Sequence, residues 1–214
     1  NDCCPYGFQH PVQSVRVVET LEKNGAGLNL TWEVRNGIAC HSLSNPNPQG
    51  RAATLEGRVV YFADKIAYLN HDFEDAVRAR MLGESDLPWE IQYQLGRTKS
   101  QRITAMIESL VKNSGEDIRM DEATARAFKA FKDFMYDAVY FNPVAKGEEG
   151  RAEAVVTSLY KYFVQNPNEL PEEYQQILQQ SDEHRAACDY ISGMSDRYAV
   201  MAYEKRYIPR SWGY

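Results

Sequence analysis

No run of apolar residues among these 214 positions approaches the roughly 20 that a membrane-spanning helix needs. The chain is therefore read without a membrane. Alternation of period two is scarce as well. It appears locally near Leu28–Trp32 and never persists over a strand length, which excludes sandwiches and barrels. Positive charge is not concentrated anywhere, and the net charge is −6. A broad basic face for nucleic acid is excluded on that count, because such binding rests on neutralising phosphates. Nucleic acid enters at most as a regulator. A small anionic substrate stays open, since a few local cations are enough for it. Cysteine is sparse: Cys3, Cys4, Cys40 and Cys188. The adjacent Cys3 and Cys4 do not have zinc-ligand spacing. Four scattered thiols in a long chain suit a reducing, cytoplasmic setting. Neither an internal repeat nor a low-complexity tract is present. No signal peptide opens the chain, and the start Asn1-Asp2-Cys3-Cys4-Pro5 lacks Met. That start predicts a chain cut from something longer.

What is present is helical periodicity. Val12, Val15, Val18 and Leu21 recur at helical spacing over 11–23. Further helices are expected from Trp32 to about His41, over 54–81, 89–95, 100–113, 121–140, 147–165 and 171–180, with a final long one over 182–206. Between the second and third lies a polar loop over 42–51. The fold class is all-α, with a soft domain boundary near Gly115 that separates 1–114 from 115–214. The segment from Thr54 carries Val59, Val60, Phe62, Ala63, Ile66, Ala67, Leu69, Phe73, Ala76 and Val77. Apolar residues cover more than one of its faces, so this helix is expected to be central and buried on most sides.

On that helix Asp64, Tyr68, His71, Asp72 and Asp75 fall at i, i+4, i+7, i+8 and i+11. At 100° per residue they share one face. A row of ionisable groups on a mostly buried helix costs free energy unless something pairs with it. A metal, a bound ligand or an internal hydrogen-bond network would each serve, and the pattern does not choose among them. Lys65 stands at the edge of the row.

Ala63-Asp64-Lys65-Ile66-Ala67-Tyr68-Leu69-Asn70-His71-Asp72 resembles a signature of the dGTPase-like branch of the HD-domain superfamily. Three more stretches resemble the same family in the same order. They are Gly7-Phe8-Gln9-His10-Pro11-Val12-Gln13-Ser14, Gly27-Leu28-Asn29-Leu30-Thr31-Trp32-Glu33-Val34-Arg35, and Asp189-Tyr190-Ile191-Ser192-Gly193-Met194-Ser195-Asp196-Arg197-Tyr198-Ala199. The resemblance spans essentially the whole chain.

The resemblance implies an HD-type helical bundle, its C-terminal portion here, with appended C-terminal helices. It implies hydrolysis of a deoxynucleoside triphosphate to deoxynucleoside and tripolyphosphate, by a protein that is commonly a homo-oligomer. It implies a divalent cofactor (Mg, Mn, Fe, Ni or Co) held by a His, a His-Asp pair and a later Asp. Asp64 matches that later Asp, and the other ligands are expected before residue 1, so this chain alone is expected to be inactive or nearly so. His10 matches a catalytic acid–base His, Lys65 a triphosphate contact, and Tyr68 and Asp72 the residues that hold the deoxyribose. Pro11 departs from the usual Asn or Glu. His71-Asp72 is itself a His-Asp dipeptide, but it follows Asp64 on the same helix, and His71 is read as structural or supporting. The alternative reading is a non-catalytic regulatory or oligomerisation module of the same fold.

Arg97 and Arg102, with Lys99, are further phosphate-binding candidates. His41 is read as a helix-end residue, which the dipole favours, and His184 as solvated. Asp189, Asp196 and Arg197 are read as a helix-to-helix network. Phe128, Phe131, Phe134, Tyr136 and Tyr140 are read as core or oligomer interface.

Overall fold

The computed structural model describes residues 3–42 and 50–209. Among the described residues ten α-helices of seven residues or more follow one another: α1 (His10–Arg16), α2 (Trp32–Cys40), α3 (Leu55–Arg78), α4 (Trp89–Leu95), α5 (Lys99–Asn113), α6 (Glu122–Met135), α7 (Pro143–Gln165), α8 (Glu172–Gln180), α9 (Glu183–Ser192) and α10 (Asp196–Tyr207). Two π-helical turns, Val17–Leu21 and Tyr136–Tyr140, extend α1 and α6. No strand occurs among the described residues, so the all-α reading holds and the alternation near Leu28–Trp32 does not form one. The loop expected over 42–51 falls largely on 43–49, outside the described residues.

Helix starts follow capping chemistry. The side chains of Thr54, Thr98, Asp121, Asp182 and Ser195 each accept a hydrogen bond from the backbone N–H three residues on. Ser195 explains one departure from the expected pattern. The single helix over 182–206 is two helices, because the chain leaves α9 at Gly193 and Ser195 caps a fresh start for α10. The helix expected from 147 begins earlier, at Pro143. Proline is tolerated in a first turn, where its missing N–H would have no helical partner.

The chain forms two compact units: Thr31–Lys146, and residues 1–30 together with 147–214. The expected boundary near Gly115 lies inside the first of these. Helices before and after that glycine share one core there. Ile66, Leu69 and Phe73 of α3, Ile91 and Leu95 of α4, Met106 of α5, and Phe131 and Met135 of α6 are all buried together. Two glycines set the approach of α2 to α3. A Cβ on Gly57 would stand 2.7 Å from the Ala52 Cβ and 3.2 Å from the Gly37 Cα. The other unit buries Leu159, Phe163, Leu170, Ile177, Ala186, Ala187 and Ala202.

The central helix is less enclosed than its composition suggests. Val59 and Val60 are each 50% exposed, and Ala63 and Ala67 are exposed on the same side. Only the face carrying Ile66, Leu69, Phe73 and Ala76 is sealed. The half-buried border between these faces carries the polar row.

Candidate functional site

Asp64, Tyr68 and Asp72 are half-buried on α3, one turn apart. His71 and Asp75 are exposed, and Asp75 pairs with Arg78 at 3.0 Å. The five-residue row thus divides into a sheltered trio and two residues in solvent. The helical step keeps His71 and Asp75 on the same face, and what sets them apart from the trio is their exposure.

Lys65 belongs with the trio. Its side chain is 12% exposed, and its Nζ lies 3.4 Å from Asp64 Oδ2. The same ammonium stands 5.1 Å from the ring centre of Tyr68 and 5.6 Å from that of Tyr61. Two ring faces and one carboxylate therefore offset the cost of sheltering this cation. Tyr61 precedes Lys65 by four residues and Tyr68 by seven. That helical spacing puts Tyr61 on the same side of α3, one turn before Asp64, where the row read from the sequence starts.

The trio also meets the π-helical turn after α6. The Tyr140 hydroxyl donates to Asp72 Oδ2 at 2.5 Å. Tyr136 packs edge-on against Tyr140, with ring centres 5.2 Å apart. In this turn the Phe141 N–H reaches back five residues to the Tyr136 carbonyl at 3.0 Å. Such single π turns alter the direction of the side chains that leave them and recur at functional sites. Tyr140 was expected in a core or an oligomer interface. It packs against the core of its unit, and its hydroxyl also meets a carboxylate 68 residues earlier in the chain.

Burial, more than any neighbour, pushes the Tyr68 phenol up to about 12, and Tyr136, Asp64, Asp72 and Tyr61 add to the effect. Burial and then the hydrogen bond to Asp72 raise Tyr140 further. Tyr61 is raised by burial and by Asp64. All three phenols are protonated donors at neutral pH. A half-buried face with carboxylate acceptors, a cation and several rings suits a ligand that has a flat or sugar-like body, hydroxyl donors and negative charge.

The divalent metal implied by the resemblance is a different matter. Among the described residues no group of three His, Cys, Asp or Glu side chains converges to hold a metal ion. Asp64, with Lys65 as its nearest charged partner, does not make that site by itself.

The other candidates fall elsewhere. His10 begins α1 in the second unit, with its side chain exposed and its carbonyl accepting from Ser14 Oγ at 2.9 Å. Pro11 occupies the first turn of that helix, where it does not disturb the backbone. Arg102 is not a phosphate ligand in this arrangement. It is 3% exposed, with its guanidinium 4.9 Å from the Phe73 ring centre and 5.6 Å from that of Phe131. It donates to Asn70 Oδ1 at 3.0 Å and to the Arg97 carbonyl at 2.9 Å. Lys99 pairs with Glu74 at 2.6 Å. Arg97 is exposed at the edge of an open hollow of about 750 Å³ that Trp89 and Tyr93 also line.

His41 Nδ1 lies 2.6 Å from the Ile38 carbonyl at the end of α2, as a helix-end residue should. His184, expected in solvent, instead has Nδ1 2.8 Å from the Tyr160 hydroxyl. The first turn of α9 carries it back over α7. Asp189 is fully buried, as a network residue, but its partner is not the exposed Arg197. Arg16 reaches it from α1, with Nη2 2.6 Å from Oδ2, and Gln13 Nε2 donates to Oδ1 at 2.9 Å.

The chain is similar to known proteins. Residues 118–205 match the family model of the phosphohydrolase-associated domain. The chain is 40% identical to the deoxyguanosinetriphosphate triphosphohydrolase-like protein of Clostridium tetani, over 98% of this chain and 62% of that protein. It is 40% identical to the protein of that name from Caldanaerobacter subterraneus, over 96% of this chain and 60% of the relative. A Clostridium perfringens protein, also so named, is 41% identical over 98% of this chain and 63% of its own length. The chain thus spans about three fifths of the curated relatives it matches.

Proposed function

The chain belongs to the deoxyguanosinetriphosphate triphosphohydrolase-like branch of the HD-domain superfamily, and on that premise we propose that it supplies the sugar-binding wall of a deoxynucleoside triphosphate triphosphohydrolase. The deoxyribose lies against the Tyr68 ring, and Asp72 accepts a hydrogen bond from its 3′-hydroxyl. Lys65 faces the phosphates, where negative charge is concentrated. Water attacks the α-phosphorus, the bond from that phosphorus to the 5′ oxygen breaks, and a proton passes to the 5′ oxygen. The products are the deoxynucleoside and tripolyphosphate. The resemblance assigns an acid–base role to His10, which belongs to the unit of residues 1–30 and 147–214. Asp64 is one ligand of the divalent metal, whose chemistry when bound is to polarise a phosphoryl oxygen or activate water.

The observation that carries this reading is the half-buried face of α3, on which Asp64, Tyr68 and Asp72 stand one turn apart with Lys65 folded against Tyr68. Because no three-ligand group occurs among the described residues, the 214 residues alone are expected to turn nucleotide over little, if at all.

The test is tripolyphosphate release from dGTP, with Mg²⁺ and with Mn²⁺, by this chain and by the complete product of its gene. Release by the complete product and little by the chain supports the proposal. Rapid release by the chain alone overturns the claim that ligands lie elsewhere. No release from any deoxynucleotide by the complete product overturns the functional reading. A second reading, a non-catalytic regulatory or oligomerisation module, draws on Trp89 and Tyr93. They are 69% and 84% exposed on α4, and interfaces favour such aromatic rings. Nucleotide-independent self-association of the complete product, without turnover, favours that reading.

A further inference from the structure

We propose that Tyr140 is a positioning residue for the Asp72 carboxylate, and through it sets how strongly the protein distinguishes nucleotides that carry a 3′-hydroxyl from those that lack one. The proposal rests on the hydrolase reading above. The starting observation is a hydrogen bond between distant parts of one unit. Tyr140 Oη, on the π-helical turn after α6, donates to Asp72 Oδ2 on α3 at 2.5 Å.

Among the described residues Tyr140 is the one side chain that donates a hydrogen bond to Asp72. An Asp side chain turns easily about its last bond and offers two oxygens, each with room for more than one donor. A single donor held by rigid structure removes that freedom. With Oδ2 bound to Tyr140, Oδ1 has a defined direction. An incoming hydroxyl then meets a prepared acceptor and need not order a mobile one, which is where preorganisation gains affinity.

Tyr140 is itself well fixed. Its ring packs edge-on against Tyr136 at 5.2 Å, and Tyr136 in turn packs against Phe141 at 6.0 Å. The wide turn that aims it is closed by the Phe141 N–H on the Tyr136 carbonyl. The Tyr140 ring packs against the core of its unit, and its hydroxyl is spent on Asp72. It acts through Asp72, and the signature of that action is selective. A purely structural residue would affect all nucleotides alike. A residue that orients the acceptor of one hydroxyl affects only nucleotides that bring that hydroxyl.

The experiment compares kcat/KM for dGTP and for 2′,3′-dideoxyguanosine triphosphate in the complete gene product, with Tyr140→Phe, Asp72→Asn and the double variant. The ratio of the two substrates is internal to each preparation, so partial loss of folded protein cancels from it. Loss of one hydrogen bond to a carboxylate predicts that Y140F reduces the ratio about tenfold. The change should sit in KM for dGTP, with kcat/KM for the dideoxy substrate reduced far less. D72N should reduce the ratio further, and the double variant should match D72N. A Y140F ratio equal to that of the unmodified protein overturns the proposal, and so does an equal loss on both substrates. Failure of the unmodified protein to hydrolyse either nucleotide sinks the hydrolase reading, and the Tyr140 proposal with it. Efficient hydrolysis with no preference for the 3′-hydroxyl leaves the hydrolase standing and removes the sugar role of Asp72.

Discussion

Asp72 in one unit and Asp189 in the other look alike on paper, each a carboxylate on a helix with apolar neighbours. Their surroundings are opposite. Asp189 has no exposed surface, and Arg16 and Gln13 occupy both of its oxygens. Asp72 is half-buried and has a single donor, Tyr140. The first is a closed network, in which every lone pair that matters is engaged from within the protein. The second keeps an acceptor for something that is not part of the chain. A site therefore differs from a structural network by what is left unsatisfied toward solvent, and not by how many charges gather there.

The largest expected effect tests the closed side. Asp189→Ala leaves the Arg16 guanidinium without its bidentate partner and should cost about 3 kcal/mol of stability, read by urea unfolding. A cost under about 1 kcal/mol would mean that the pair is not the anchor its geometry indicates. Next comes Arg102→Met, in the other unit. It keeps the packing between Phe73 and Phe131 but strands Asn70 Oδ1. A loss of about 2 kcal/mol is expected, with no change in nucleotide affinity. A weakened affinity would return Arg102 to the phosphate-binding candidates.

Asp72→Asn should be nearly silent in unfolding, within about 1 kcal/mol, while weakening nucleotide binding, because its one internal bond is from the Tyr140 hydroxyl, which an amide oxygen can still accept. A destabilisation as large as that of Asp189→Ala would erase the contrast and make both clusters structural.

The smallest effect concerns acid. Hydrogen bonds from Ser109 and from the Thr124 backbone N–H hold the Asp121 carboxyl well below the usual carboxylate range. A depressed folded-state value contributes stability above the ordinary carboxylate pKa, and that contribution fades as pH falls toward the depressed value. The stability gap between the unmodified protein and Asp121→Asn should therefore be open at pH 7 and narrow below about pH 4. A gap constant from pH 7 to pH 3 contradicts the assignment.

Much of this was legible before any coordinates. The helical periods, the caps at Thr54 and Asp121, and the resemblance carried by the Ala63–Asp72 stretch needed no tertiary information, because each is written within one or two helical turns. The division of the row into a half-buried Asp64, Tyr68 and Asp72 and an exposed His71 and Asp75 was not legible. It depends on which border of α3 the neighbouring helices cover. Arg102 misled for the same reason. An arginine after a glycine, at the start of a helix, reads as a phosphate contact until Phe73 and Phe131 close over it.

The sequence by itself determined an all-helical chain, where most of its helices begin, and which carboxylates ride together on one helical face, since backbone hydrogen bonding and a 100° step act over short range. Only the tertiary structure decided that Tyr140 meets Asp72, that Arg16 rather than Arg197 meets Asp189, and that one carboxylate is sealed while the other stays open. Those outcomes turn on burial and on groups far apart in the chain, which come together only when the packed core brings their helices side by side.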